Sequence, residues 1–137
     1  MRVVVDTNVL AYHLLGTPRF AAEAGALLGA ADEILAPALW EAELANVVWL
    51  AARTGVLPES EAPARLSLAG RLGVQSVPIR ALWQGALIRS LQSGVPIYDT
   101  LFVELADRER LALATFDRQL AKAFPAVAKR PGEVVLE

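Results

Sequence analysis

The chain has 137 residues, 55% of them hydrophobic, with thirteen basic and fifteen acidic side chains, a net charge of −2 and a mean hydropathy of +0.40. That size suits one domain, residues 1–137, with ample material for a core, and the near-balanced charge gives no global field that would pull the chain toward a polyanion. With no cysteine and His13 as the lone histidine, disulfides, thiolate chemistry and histidine-rich zinc sites are excluded, and with no run of about 18 apolar residues there is no candidate membrane span, so a cytoplasmic protein is expected.

The first eight residues, Met1-Arg2-Val3-Val4-Val5-Asp6-Thr7-Asn8, run three β-branched side chains straight into a carboxylate. An uninterrupted apolar run fits a strand covered on both faces, as in parallel sheets. After Asp6 the period turns helical, with Val9, Leu10, His13 and Leu14 three and four apart. Gly16-Thr17-Pro18 breaks this helix, and Pro18 suits an early position of a second helix running to about Gly29. Glu33 to Pro37 reads as a short strand. A long helix is then expected from about Ala38 to Arg53, with Trp40, Leu44, Val47, Val48 and Ala51 on its buried side. A weaker helix follows Pro58 and ends near Gly73, Val74 to Val77 reads as a strand, and Ile79 to Gly94 is helical. Tyr98 to Arg110 is helical again, and Leu111 to Thr115 is a buried strand with Asp117 two residues beyond it. A short helix from Asp117 to Phe124 and a final strand over Glu133-Val134-Val135-Leu136 complete the chain. Strands alternating with helices imply an α/β class with a parallel sheet and right-handed crossovers.

Four acids stand where a solvated charge is not expected. Asp6 and Asp117 follow apolar strands; Glu43 lies one turn from Leu39, Trp40 and Val47; Asp99 shares a helical stripe with Phe102, Val103 and Ala106. Glu104 and Asp107 fall on the opposite face with Arg108 and read as solvated. Each of the four also has a plain structural use, as a helix cap or as an acid favoured by the helix dipole. All four can nevertheless converge at one edge of a parallel sheet, where ligands collect beyond the carboxyl ends of the strands. Carboxylates crowded there would repel and raise one another's pKa unless a cation neutralised them. Hard oxygen ligands without Cys or His select Mg²⁺ or Mn²⁺, and such a site suits hydrolysis of a nucleic-acid backbone.

Val-Val-Val-Asp6-Thr7-Asn8, Ala36-Pro37 followed by Glu43-Leu-Ala-Asn46, Tyr98-Asp99-Thr100 ahead of a helix, and Thr115-Phe-Asp117-Arg-Gln-Leu together resemble a PIN domain. The short length is similar to that of the VapC toxins of toxin–antitoxin pairs. The resemblance spans essentially the whole chain. It implies a three-layer fold with a central five-stranded parallel sheet flanked by helices, and a Mg²⁺- or Mn²⁺-dependent endoribonuclease site made of Asp6, Glu43, Asp99 and Asp117. Thr7 or Asn8 and Thr115 would support that site by hydrogen bonding, and Asn46 would lie at its wall. It also implies a homodimer, a structured RNA substrate, transfer RNA above all, and an antitoxin whose tail covers the acidic pocket. Some members carry a further acid just after the last aspartate, where this chain reads Arg118-Gln119-Leu120-Ala121, so a second metal position is open to question. Glu41 is the rival to Glu43, which the Asn46 spacing favours. Arg19, Arg53, Arg80, Arg89 and Arg118 are candidate RNA contacts, and the three tryptophans read as core or dimer face.

A haloacid-dehalogenase-like phosphatase would need an aspartate at position 8, where Asn8 stands, and a receiver domain would need paired acids and a lysine placed earlier than Lys122. The alternatives left open are a housekeeping RNA-processing nuclease and a non-catalytic RNA- or protein-binding module of the same fold.

Overall fold

The computed structural model describes residues 1–136; the last residue of the expected domain, Glu137, lies outside the described residues. Five strands form one all-parallel sheet: β1 (Arg2–Val5), β2 (Glu33–Pro37), β3 (Val74–Val77), β4 (Leu113–Ala114) and β5 (Ala128–Lys129), in the order β3-β2-β1-β4-β5. Strand β1 is central because its side chains can tolerate no solvent. Val3, Val4 and Val5 are fully buried, on both faces of the sheet. It pairs with β2 through Val3 opposite Ile34 and Val4 opposite Leu35, and with β4 through Val5 opposite Ala114.

Eight helices are present among the described residues: α1 (Thr7–Leu15), α2 (Ala21–Ala30), α3 (Leu39–Arg53), α4 (Ala62–Ala69), α5 (Trp83–Ser93), α6 (Ile97–Glu109), α7 (Arg118–Ala123) and α8 (Pro131–Leu136). Helix α6 packs on β1, β2 and β4 with α5 against it, while α1 gathers α2, α3 and α4. The core is built from Val9, Leu10, Leu27, Leu44, Leu82, Phe102, Leu105 and Leu120 around the strand residues. No helix among the described residues is long and apolar enough to cross a membrane.

Three expectations are corrected. The final segment is the helix α8 and not a strand, and the fifth strand is Ala128–Lys129. Pro131 lacks an N–H for a sheet ladder but suits the first turn of a helix, and Glu23 of α2 accepts from Gly132 N at 2.8 Å, tying α8 down. The second helix begins at Ala21, not at Pro18, because Arg19 adopts a left-handed backbone (φ 80°) that no right-handed helix accommodates. Glu104 is not solvated: it is 7% exposed, between Arg89 of α5 at 3.5 Å and Arg108 at 3.4 Å. Asp107, by contrast, is exposed and pairs with Arg89 at 2.7 Å.

Candidate active site

The carboxyl end of β1 meets the start of α1 at Asp6, which is buried and caps the helix by accepting from Thr7 N at 2.8 Å through Oδ1. Its Oδ2 accepts from the Thr115 hydroxyl at 2.7 Å and from Asn8 Nδ2 at 3.3 Å. Helix capping and a place in the site are therefore compatible, since an ionised carboxylate offers about four lone-pair positions and three donors leave room.

The loop after β4 is stitched to the same point. Thr115 Oγ1 accepts from Asp117 N at 3.0 Å while donating to Asp6, and Asn8 Oδ1 accepts from Phe116 N at 3.2 Å. Asp117 then caps α7, its Oδ1 accepting from Gln119 N at 2.9 Å and Leu120 N at 3.1 Å, so that Oδ2 is not used by the cap. From α3, Glu43 accepts from the Thr7 hydroxyl at 2.7 Å. Asp99 stands in the first turn of α6, half-buried. Asp6, Glu43, Asp99 and Asp117 thus line one pocket of about 310 Å³, together with Thr7, Asn8, Ala11, Tyr12 and Val47.

By sequence position Glu41 is an alternative to Glu43. Glu41 is exposed and accepts from Ser76 Oγ at 2.8 Å, and the same hydroxyl takes the indole N–H of Trp40 at 2.7 Å. Asn46 is exposed and stands next to Val47, which takes the place in the lining. Of the tryptophans only Trp40 is buried; Trp49 and Trp83 are about half exposed. Arg89 is committed to Glu104 and Asp107, and Arg53 and Arg80 lie over the rings of Trp49 and Trp83. Tyr12 and Val47 line the pocket, yet helical periodicity places them as ordinary apolar-face residues, and nothing in their spacing marks them as part of a site.

Among the described residues no lysine, arginine or histidine lines this pocket. Its electrostatics follow. Burial pushes Asp6 up to about 7, with the charges of Asp99 and Glu43 adding to the rise and the Thr115 and Thr7 hydrogen bonds opposing it. Burial also raises Glu43, with Asp99 contributing and the Thr7 hydroxyl opposing, and it raises Asp99, with Asp117 contributing. Four acids in a pocket whose described lining holds no basic side chain are a donor set lacking its counter-charge there, and all their ligand atoms are hard oxygens, which fits Mg²⁺ or Mn²⁺. Among the described residues no three of these side chains stand close enough to enclose an ion by themselves. That spacing is compatible with Mg²⁺, which keeps several of its waters and is commonly held by only one or two carboxylates.

A family model for the PIN domain matches residues 3–124. The chain is 34% identical over 131 residues to Ribonuclease VapC3 of Pyrobaculum aerophilum, covering 93% of this chain and 98% of that protein. Similar solved structures include VapBC2 from Rickettsia felis bound to a DNA fragment from their promoter (TM-score 0.64, 15% identity, 95% of this chain and 98% of that one). A toxin–antitoxin complex from Klebsiella pneumoniae (0.63, 20%, 94% and 97%) and FitAcB from Neisseria gonorrhoeae (0.59, 24%, 94% and 97%) share the fold as well. The motifs at Asp6, Glu43, Asp99 and Asp117, the strand order that brings them to one pocket and a relative that matches nearly end to end agree: the chain belongs to the PIN-domain family.

Proposed function

We propose that this protein is a divalent-metal-dependent endoribonuclease, the toxin of a toxin–antitoxin pair, with Asp6, Glu43, Asp99 and Asp117 as its metal-binding and catalytic acids. The observation that carries the reading is the convergence of these four carboxylates, from the end of β1, α3, α6 and the β4–α7 junction, on one pocket that no basic side chain among the described residues lines. The likeness to a ribonuclease over nearly the full chain supports RNA as the substrate class, with transfer RNA as the first substrate to try. The toxin–antitoxin complex among the structural neighbours supports a protein antitoxin as partner. Exposed apolar side chains on α5 and at the start of α6, among them Leu91 (78% exposed) and Tyr98 (66%), supply a face for a second protein chain, in keeping with a homodimer. The setting for such a pair is the cytoplasm.

Each residue has a definable task. Asp6, fixed by three donors, gives the site its least mobile carboxylate. Thr7 orients Glu43 by donating to Oε1, and its own amide holds Asp6, so one residue aligns two acids. Asn8 and Thr115 keep the β1–α1 and β4–α7 junctions in register, which sets the distance between Asp6 and Asp117. Asp99 comes from the other packing layer and completes the ring of charge. When bound, Mg²⁺ or Mn²⁺ supplies a counter-charge for the phosphodiester and the acidity needed to activate a water.

The test is cleavage of bulk transfer RNA and of a mixed-sequence RNA by wild type, Asp6→Asn and Asp99→Asn, with Mg²⁺, with Mn²⁺ and with chelator. Wild type should cut with either metal and stop in chelator, and each variant should be slower by at least about 100-fold. Intact RNA after incubation of wild type with millimolar metal, or full rates in both variants, would refute the assignment.

A further inference from the structure

Asp117 lines more than one cavity, among them the acid pocket and a small one of about 130 Å³ that it shares with Asp99. It also lines a second large cavity, of about 380 Å³, whose walls carry Phe116, Arg118, Lys129 and Arg130, with Glu133 as the other acid and an otherwise largely apolar lining. The sign of the charge reverses from the acid pocket to this second cavity: four acids and, among the described residues, no cation in the first, three cations and two acids in the second. An RNA strand whose scissile phosphate lies in the acid pocket has a neighbouring phosphate that must sit elsewhere, and cations are what such a phosphate needs.

The wall between the cavities is aromatic. Tyr12, which lines the acid pocket, meets Phe116, which lines the second cavity, edge-on with centroids 5.3 Å apart. Phe20 stacks on Tyr12 at 4.5 Å and lies 5.0 Å from Phe116. All three rings are only partly buried. Arg130 is held beside them: its Nε donates to both oxygens of Glu23, at 3.0 and 2.9 Å, and its guanidinium lies 5.4 Å from the Phe116 centroid and 6.0 Å from that of Phe20. A guanidinium fixed against a ring is a ready platform for a base, and proteins read unpaired RNA by stacking bases on aromatic rings and on arginine planes. Arg118, one residue from Asp117, is exposed at the same cavity.

We infer that this second cavity is the subsite for an unpaired RNA nucleotide flanking the scissile phosphate, its base against Phe116 and Arg130 and its phosphate on Arg118. The inference rests on the ribonuclease reading and adds to it the side chains that hold the nucleotide next to the cut, which must be unpaired because a base inside a duplex cannot reach such a platform.

Binding measured apart from cleavage separates the two. In an Asp99→Asn chain with Mg²⁺, a fluorescein-labelled hexaribonucleotide is titrated by anisotropy, and the same hexamer carrying 2-aminopurine reports stacking by loss of its fluorescence. Arg118→Ala should weaken binding about tenfold and lower the slope of log affinity against log salt by about 0.7. Phe116→Leu, which keeps an apolar side chain at that position, should also weaken binding about tenfold and abolish most of the quenching. Arg71→Ala, at an exposed position just before β3 at the opposite edge of the sheet, should change neither. Thermal unfolding of each variant identifies any loss that comes from misfolding, and Arg118→Ala, at an exposed position, should fold normally. Unaltered affinity and quenching in both cavity variants overturns the subsite even if wild type cuts RNA. Loss in both, with wild type unable to cut any RNA, leaves the subsite standing and removes the ribonuclease reading. An acidic peptide that binds as tightly as the hexamer and suffers the same losses overturns the nucleotide assignment.

Discussion

Asp6 shows how a single side chain can serve the fold and still weaken it. The same carboxylate that caps α1 and ties β1 to β4 through Thr115 is buried near Glu43 and Asp99, and its folded-state pKa is pushed up to about 7 from an ordinary value of 3.8. The native state therefore holds a proton that the unfolded chain releases. Stability from this group is fully present below about pH 4, falls as pH rises to about 7, and is flat above that. A rise of this size is worth up to about 4 kcal/mol. Urea unfolding in chelator should show metal-free wild type losing stability between pH 4 and 7.5, whereas Asp6→Asn loses much less over the same window. Glu43 and Asp99 shift in the same direction, so part of the slope remains in the variant. Identical slopes in the two proteins would mean that Asp6 is not its source.

At the scale of elements, two junctions hold the site and one helix pair supports it. Thr115 is buried, donates to Asp6 and accepts from Asp117 N, so Thr115→Val strands the Asp117 amide and removes a donor to a buried carboxylate. An unfolding loss of about 1–3 kcal/mol and a fall in RNA cleavage are expected together; wild-type stability in that variant would show that the junction does not depend on this hydroxyl. On the far layer, a Cβ added to Gly85 of α5 would stand 2.1 Å from a Glu104 carboxylate oxygen. Alanine is the better helix former by about 1 kcal/mol, yet Gly85→Ala should destabilise, because it expels Glu104 from between Arg89 and Arg108. A gain in melting temperature would reverse that account. The two cases mark what a linear reading can reach. The place of Asp6 at the sheet edge is legible because it follows an apolar strand, where the local pattern itself points there, whereas supporting places for Thr7 and Thr115 follow only from the resemblance to a PIN domain. Glu104 was not legible, since its burial depends on a glycine in another helix, and helical periodicity within α6 places it on the solvent side. The terminal segment misled in the same way: Val134-Val135-Leu136 has strand character, but a carboxylate from α2 more than a hundred residues earlier holds it as a helix.

Across the whole molecule, the strand order explains why acids from four separate stretches meet. With β1 central and β4 beside it, Asp6 and Asp117 emerge at the same end of neighbouring parallel strands, while α3 and α6 bring Glu43 and Asp99 to that pocket. Which acids stand after strands can be read from the sequence; how closely four of them approach cannot, because that distance is set by the packing of α3 and α6. Helix packing thus holds like charges together, and a ligand that neutralises them should stabilise the folded state as a whole. By linkage, Mg²⁺ or Mn²⁺ at about one hundred times its dissociation constant adds about 2.7 kcal/mol to unfolding. For a chain of this length that corresponds to a rise on the order of 10 °C in melting temperature. The rise should be largest above about pH 7, where Asp6 has given up its proton and a cation can take the proton's place, and small at pH 4, where Asp6 keeps its proton and an ion must compete with it. Asp99→Asn should raise the melting temperature in chelator, by relieving repulsion, and flatten the response to metal. Thermal unfolding of the two proteins across pH 4 to 8, with and without Mg²⁺, checks both signs at once. A wild type that gains nothing from metal at pH 7.5 would show that its acids do not share a cation, leaving their mutual repulsion without a purpose.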